Sequence, residues 1–302
     1  MSKFHSRTAV LIAVLAMVSV ACGDEPSTPV STGTGTGTGT ASPSVEQDLL
    51  ARINEDGVIR VATDQKYKPQ SSYNTKTGEW EGFDVDVAKE IALRLGVTAE
   101  IEHRDWETDV TAGAWNDRWD MNVGSMTVTT ERTEIFSFTP AYYYTPASIA
   151  VHADNTSIQD LTTDLDGKKV CVGKSTTYES FLLQQLDIPG YDFEFVIDDA
   201  KISSFETDTD ALDQLALGDG VRCDAAMTAT PTIDQYIVDG GSIKNVGSPL
   251  YGEPLSVAFD KNSPIDNTSL VEAVSAIVDE MHADGTLTEL SIKWYGEDIT
   301  VV

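Results

Sequence analysis

The chain is poor in bases. Across 302 residues it carries 20 Lys and Arg against 49 Asp and Glu, a formal net charge of −29. A surface of that sign is repelled by phosphate backbones, which excludes general nucleic-acid binding. It is equally unsuited to adhering to anionic lipid through a basic face. Histidine is scarce, with four residues in all: His5, His103, His152 and His282. None stands at metal-ligand spacing from a cysteine or a second histidine, so neither a metal nor a cofactor is expected. Neither a G-x-S-x-G elbow nor a P-loop is present; Gly173-Lys174-Ser175 has the end of a P-loop without its preceding glycine. After Val20 no apolar run is long enough to span a bilayer, which takes ~20 residues. Disorder is not implied by the charge, because hydrophobic residues make up 41% of the chain and recur in clusters.

The N-terminus reads as an address. Lys3 and Arg7 precede the apolar run Ala9 to Val20, which is broken only by Ser19. Such a run is short for a membrane span and suits a secretory signal. Ser19-Val20-Ala21-Cys22 is similar to a lipobox, with Ser19 where Leu is usual. Residues 1–21 are therefore expected to be a lipoprotein signal peptide and Cys22 the lipidated mature terminus. An ordinary signal peptide with an incidental cysteine is the alternative. Residues 22–45 hold Pro26, Pro29, Pro43 and the Thr-Gly repeat Thr32 to Thr40, with no helical or strand period. They read as a disordered tether with a reach of about 25–30 Å. The expected location is extracytoplasmic, anchored to a membrane through the lipid on Cys22. Cys171 and Cys223 remain, and in an exported chain they are either a disulfide or two small buried hydrophobes.

From Glu46 onward strands alternate with helices. Val58 to Thr63 reads as a strand, and Phe83 to Leu95 as a helix with Asp84 as N-cap and Gly96 past its end. Thr98 to His103 is a second strand, Glu107 to Trp119 a short helix, and Asp120 to Ser125 a third strand. The pattern then restarts. Strands are expected at Lys169–Val172, Phe193–Ile197 and Cys223–Thr228, with helices at Thr177–Leu186, Asp208–Leu217 and Thr230–Val238. Asn267 to Met281 is amphipathic, and a short segment with Leu287, Leu290, Ile292 and Trp294 follows. Two α/β units in series imply two lobes, each a mostly parallel sheet flanked by helices.

Ligands of open α/β sheets bind beyond the carboxyl ends of strands. Thr63-Asp64-Gln65-Lys66-Tyr67 follows the first strand and Gly82-Phe83-Asp84-Val85-Asp86 opens the first helix. Gly124-Ser125-Met126-Thr127-Val128-Thr129-Thr130-Glu131-Arg132 follows the third strand, and Phe136-Ser137-Phe138-Thr139-Pro140 comes next. Ala283-Asp284-Gly285-Thr286 and Lys293-Trp294-Tyr295-Gly296 close the series. From Gly57 to Gly296 this order resembles the family 3 solute-binding proteins of ABC transporters, the polar amino-acid receptors with the type II periplasmic-binding fold.

The resemblance implies lobe 1 at residues 46–146 plus 250–302 and lobe 2 at 147–249, joined by two crossing segments and closing on a solute like a trap. It implies a monomer whose partners are a small carboxylate-bearing solute, foremost a polar amino acid, and an ABC permease. Arg132 matches the arginine that grips the ligand carboxylate, a role suited to a guanidinium fork. Gly124, Ser125 and Thr127 match positions that hold the same carboxylate, and Tyr67 and Trp106 match aromatics that sandwich the ligand. Asp64 matches a position that meets a cationic side chain. Thr176 and Thr177, with Ser175, open a lobe 2 helix and match contact positions. Taken alone, these residues read as turn-formers, caps and half-buried core. In the strand order the resemblance implies, Cys171 and Cys223 lie on neighbouring strands, as a disulfide requires.

One position departs from the pattern. After Asp224-Ala225-Ala226-Met227-Thr228 the family usually has an Asp that pairs with the ligand's ammonium, and here Ala229 stands there. A buried ammonium without a carboxylate is unfavourable. Either another acid serves (Asp64, Glu107 or Asp234), or the solute is not a standard α-amino acid. No catalysis is expected. The enzymatic alternative on this fold is a dehydratase of the cyclohexadienyl type, with Glu107 or Asp234 as general acid.

Overall fold

The computed structural model describes residues 48–301. The signal peptide, Cys22 and the tether lie outside the described residues.

Helix α1 (Leu49–Asp56) leads into β1 (Val58–Thr63), and a small antiparallel sheet follows, formed by β2 (Lys66–Tyr67), β3 (Ser71–Asn74) and β4 (Glu79–Glu81). Then come α2 (Phe83–Leu95), β5 (Thr98–His103), β6 (Met121–Thr127), α3 (Thr130–Ile135), β7 (Phe136–Phe138) and β8 (Tyr143–His152). The second half runs β9 (Lys169–Gly173), α4 (Thr177–Leu182), β10 (Lys201–Phe205), α5 (Asp208–Leu215), β11 (Ala225–Ala229) and α6 (Thr230–Val238). Strand β12 (Ile243–Asp260) returns to the first half, which α7 (Thr268–Ala283) and α8 (Thr286–Tyr295) complete. Among the described residues, no helix is long and apolar enough to cross a membrane.

The two halves repeat one motif. In the first, β1 lies between β5 and β6 and is parallel to both; in the second, β9 lies between β10 and β11 in the same way. Strands β8 and β12 pair antiparallel to each other and join the two triplets, giving the order β10-β9-β11-β8-β12-β6-β1-β5. The α/β architecture expected from the sequence is borne out. Each half has its own core. Phe83, Ile91, Tyr142, Tyr143 and Val257 belong to one, and Ile149, Val172, Phe181 and Met227 to the other. The register of β8 against β12 shifts between Val246 and Tyr251.

Cys171 and Cys223 are disulfide-bonded, with Cα atoms 5.9 Å apart. The bond is buried among Ala211, Leu212, Leu215 and Ile233. It ties β9 to the segment leading into β11.

Three local expectations are corrected. Gly82, not Asp84, caps α2; a Cβ at Gly82 would lie 2.2 Å from the carbonyl oxygen of Gln70. Asp84 instead turns inward and is fully buried. The helix expected over Glu107 to Trp119 is a single wide turn, Trp106–Val110. Beyond it Ala114, Asn116 and Asp117 take left-handed backbone conformations, while Asp117 and Asp120 are drawn to Arg52 and Arg60. Phe193 to Ile197 forms no strand, because Phe195 packs onto Phe181 at 5.3 Å and Phe193 onto Tyr251 at 5.5 Å; the ladder partner of β9 is β10, further along.

Candidate functional site

A cavity lies between the halves, at the carboxyl ends of β1, β6, β9 and β10. Asp64, Tyr67, Trp106, Gly124, Ser125, Thr127, Arg132, Thr176 and Thr177 all line it. Gly173, Tyr178, Glu206, Thr207, Asp208 and Glu253 complete the wall.

Arg132 is 9% exposed and projects from the short helix α3, whose N-cap is Thr129. Its two terminal nitrogens donate to the carbonyls of Thr127 (3.1 Å) in the first half and Ser175 (3.0 Å) in the second. Its guanidinium carbon lies 5.2 Å from the ring centre of Trp106, whose indole nitrogen donates to that same Ser175 carbonyl at 3.1 Å. Burial lowers the pKa of Arg132, and the negative charge of Glu253 opposes that shift. A guanidinium has five N–H donors, so these bonds leave a fork for a carboxylate.

Ser125 has a left-handed backbone, φ 56°, which is uncommon for a residue with a side chain. The buried Asp84 holds it there by accepting from the Ser125 hydroxyl at 2.7 Å and from the Tyr142 phenol at 2.8 Å. The Ser125 amide in turn donates to the Tyr142 oxygen at 3.2 Å. Burial pushes the Asp84 carboxyl up to about 7. On the opposite wall Thr176 caps α4 by accepting from the Glu179 amide at 3.2 Å. Thr177 donates to Glu253 at 2.6 Å, and Thr127 donates to the same carboxylate oxygen at 2.7 Å. Glu253, 1% exposed, is therefore bolted between hydroxyls from both halves.

The halves also meet around the rim. Tyr67 and Tyr178 bring their phenol oxygens to 3.3 Å, and Lys66–Asp210 (3.2 Å) and Lys68–Asp239 (3.0 Å) are ion pairs across the cleft. This is a closed arrangement of the two halves.

The acids of the site are not those expected. Glu107 pairs with Lys174 at 3.4 Å and Asp234 accepts from Asn245 at 2.6 Å; both sit outside the cavity wall. Asp64 does line the cavity, and it also closes a turn by accepting from the Lys66 amide at 2.8 Å. Burial raises its pKa. Ala229 is fully buried with Ala147, Ile149 and Met227 and takes no part in the wall. The unforeseen acids are Glu206 at the exposed mouth, Glu253, and the buried Asp208, which accepts from the Gly173 amide at 3.1 Å. Asp208 lies three residues past the end of β10. With that strand placed eight residues later than Phe193, the strand-end rule points to it. Glu253 has no such signal, because it lies inside the returning strand.

Residues 59–297 match the bacterial extracellular solute-binding proteins, family 3. The chain belongs to that family. As a family 3 protein it has amino-acid-binding relatives. The L-cystine-binding protein TcyJ of Escherichia coli (strain K12) is 28% identical over 256 residues, covering 84% of this chain and 89% of that protein. Among solved structures, the ancestral amino acid-binding protein AncCDT-1, a precursor of cyclohexadienyl dehydratase, is similar with TM-score 0.68 and 30% identity, over 82% of this chain and 99% of that one. An ancestral arginine-binding protein bound to arginine is similar with TM-score 0.68 and 29% identity, over 80% and 99% of the two chains. Among the described residues, no group of three or more His, Cys, Asp or Glu is placed to hold a metal ion.

Proposed function

We propose that this protein is the extracytoplasmic receptor of an ABC importer, lipid-anchored through Cys22, and that it captures a polar amino acid between its lobes. The observation that carries the reading is one interlobe cavity faced by a buried guanidinium and four acids, Arg132 against Asp64, Glu206, Asp208 and Glu253. The solute's carboxylate takes the free fork of Arg132, and Tyr67 and Trp106 flank its side chain. The negative surplus of the wall favours a solute with a positive surplus, so basic amino acids bind in preference to acidic ones. The cystine- and arginine-binding relatives support an amino acid. Closure is a population shift: a solute touching both lobes stabilises the closed form by its differential affinity. No chemical step is needed for this role.

A thermal-shift panel tests the reading. Basic, neutral and acidic amino acids, cystine, a diamine and a dicarboxylate are offered to the folded protein. At 100 times Kd a ligand adds about 2.7 kcal/mol, which raises the melting temperature by roughly 5 °C or more. A shift with amino acids, largest for basic ones, supports the proposal; a panel in which no amino acid shifts the transition refutes it. One observation favours a second reading. Burial pushes the Asp208 carboxyl up to about 7, where a carboxylic acid can donate a proton at neutral pH. Steady consumption of prephenate or arogenate would favour a dehydratase.

A further inference from the structure

Asp208 is a buried carboxylate without a counter-ion. It is 8% exposed and lines the solute cavity. The charges acting on it are those of Asp64 and Glu253, both negative. The cations of the neighbourhood are engaged elsewhere: Lys66 with Asp210, Lys174 with Glu107, and Arg132 opposite Glu253. An acid in the first turn of a helix gains from the helix dipole, and α5 begins at Asp208. That gain is small beside the desolvation of a carboxylate that also faces two like charges. A carboxylate in this setting needs either a proton or a cation brought in by the solute.

Its position says which cation. Arg132 belongs to the first half and offers the carboxylate pole; Asp208 belongs to the second half, across the same cavity. A zwitterion lying between them has one pole on each lobe. Ala229, where the sequence pattern leads one to expect an acid, is turned into apolar core instead.

We propose that Asp208 accepts the solute's α-ammonium, and is thereby the residue by which this cavity tells an amino acid from the matching hydroxy acid. The inference rests on the reading of the cavity as an amino-acid site.

The experiment is calorimetric titration of the wild type and Asp208→Asn with L-arginine, L-glutamine and L-cystine, each beside its α-hydroxy counterpart. Wild type is expected to prefer the amino compound by roughly 100-fold or more, the effect of leaving a buried charge unpaired. Asp208→Asn is expected to lose that preference while keeping its affinity for the hydroxy acid. Asp208→Ser, checked for folding by its melting transition, gives the same result if the Asn variant misfolds. A variant that retains the wild-type preference overturns the assignment, as does a wild type that binds both compounds equally. A wild type that binds none of the six overturns the amino-acid reading itself, and this inference with it.

Discussion

Two buried carboxyls make the stability of the empty protein depend on pH in an unusual sense. Asp84 and Asp208 are each pushed from the ordinary 3.8 up to about 7, in both cases chiefly by burial. Below about pH 4 both are protonated in the folded and the unfolded chain, and their full contribution is present. Between about pH 4 and 7 the folded state binds protons that the unfolded state has released. Stability therefore falls as pH rises, with a slope approaching 1.4 kcal/mol per pH unit per group. The accumulated loss by pH 8 is about 4 kcal/mol for each. Other carboxylates act in the opposite sense at lower pH; Asp284, held down to about 2 by hydrogen bonds from Thr286, is one. Their effect is confined to pH below the ordinary carboxylate range, so the two buried acids dominate from pH 5 to 8. Urea unfolding at pH 5, 6, 7 and 8 measures the slope. Asp84→Asn and Asp208→Asn are each expected to remove a large part of it, and Asp64, whose pKa burial also raises, contributes in the same sense. Wild-type stability that is level or rising between pH 5 and 7 would refute the reasoning.

Two further outcomes are expected. Arg132→Ala should weaken binding of any carboxylate-bearing solute by roughly 100-fold or more; unchanged affinity in titration calorimetry would remove Arg132 from the site. Replacing Cys171 and Cys223 with Ala should lower stability by about 4 kcal/mol, the chain-entropy value for the 52-residue separation the disulfide closes. Intact mass with and without reductant checks the bond, and two free thiols in the isolated protein would refute it.

The alternation of strand and helix, and the strand-end segments that line the cavity, were legible in the sequence. Their signals are local: the apolar period of Phe83 to Leu95, the turn residues after Thr63 and the hydroxyl-rich stretch around Arg132 lie within a few positions of one another. Phe193 to Ile197 reads as a strand in the sequence because alternating aromatics look alike whether they pair in a sheet or stack on Phe181 and Tyr251. That reading hides Asp208, since the true strand β10 ends just before it. Asp84 misled in another way. Its spacing suits a cap, and only the approach of Ser125 and Tyr142 from distant segments makes it a buried acceptor. The sequence by itself determined two α/β units and the lobe walls each would present. Tertiary structure decided which acids face one another across the cleft. A charge is written at its own position, but its solvation and neighbours are set by segments far away in the chain: Glu253 meets Thr127 through the pairing of β12 with β6, and Thr177 only when the lobes come together.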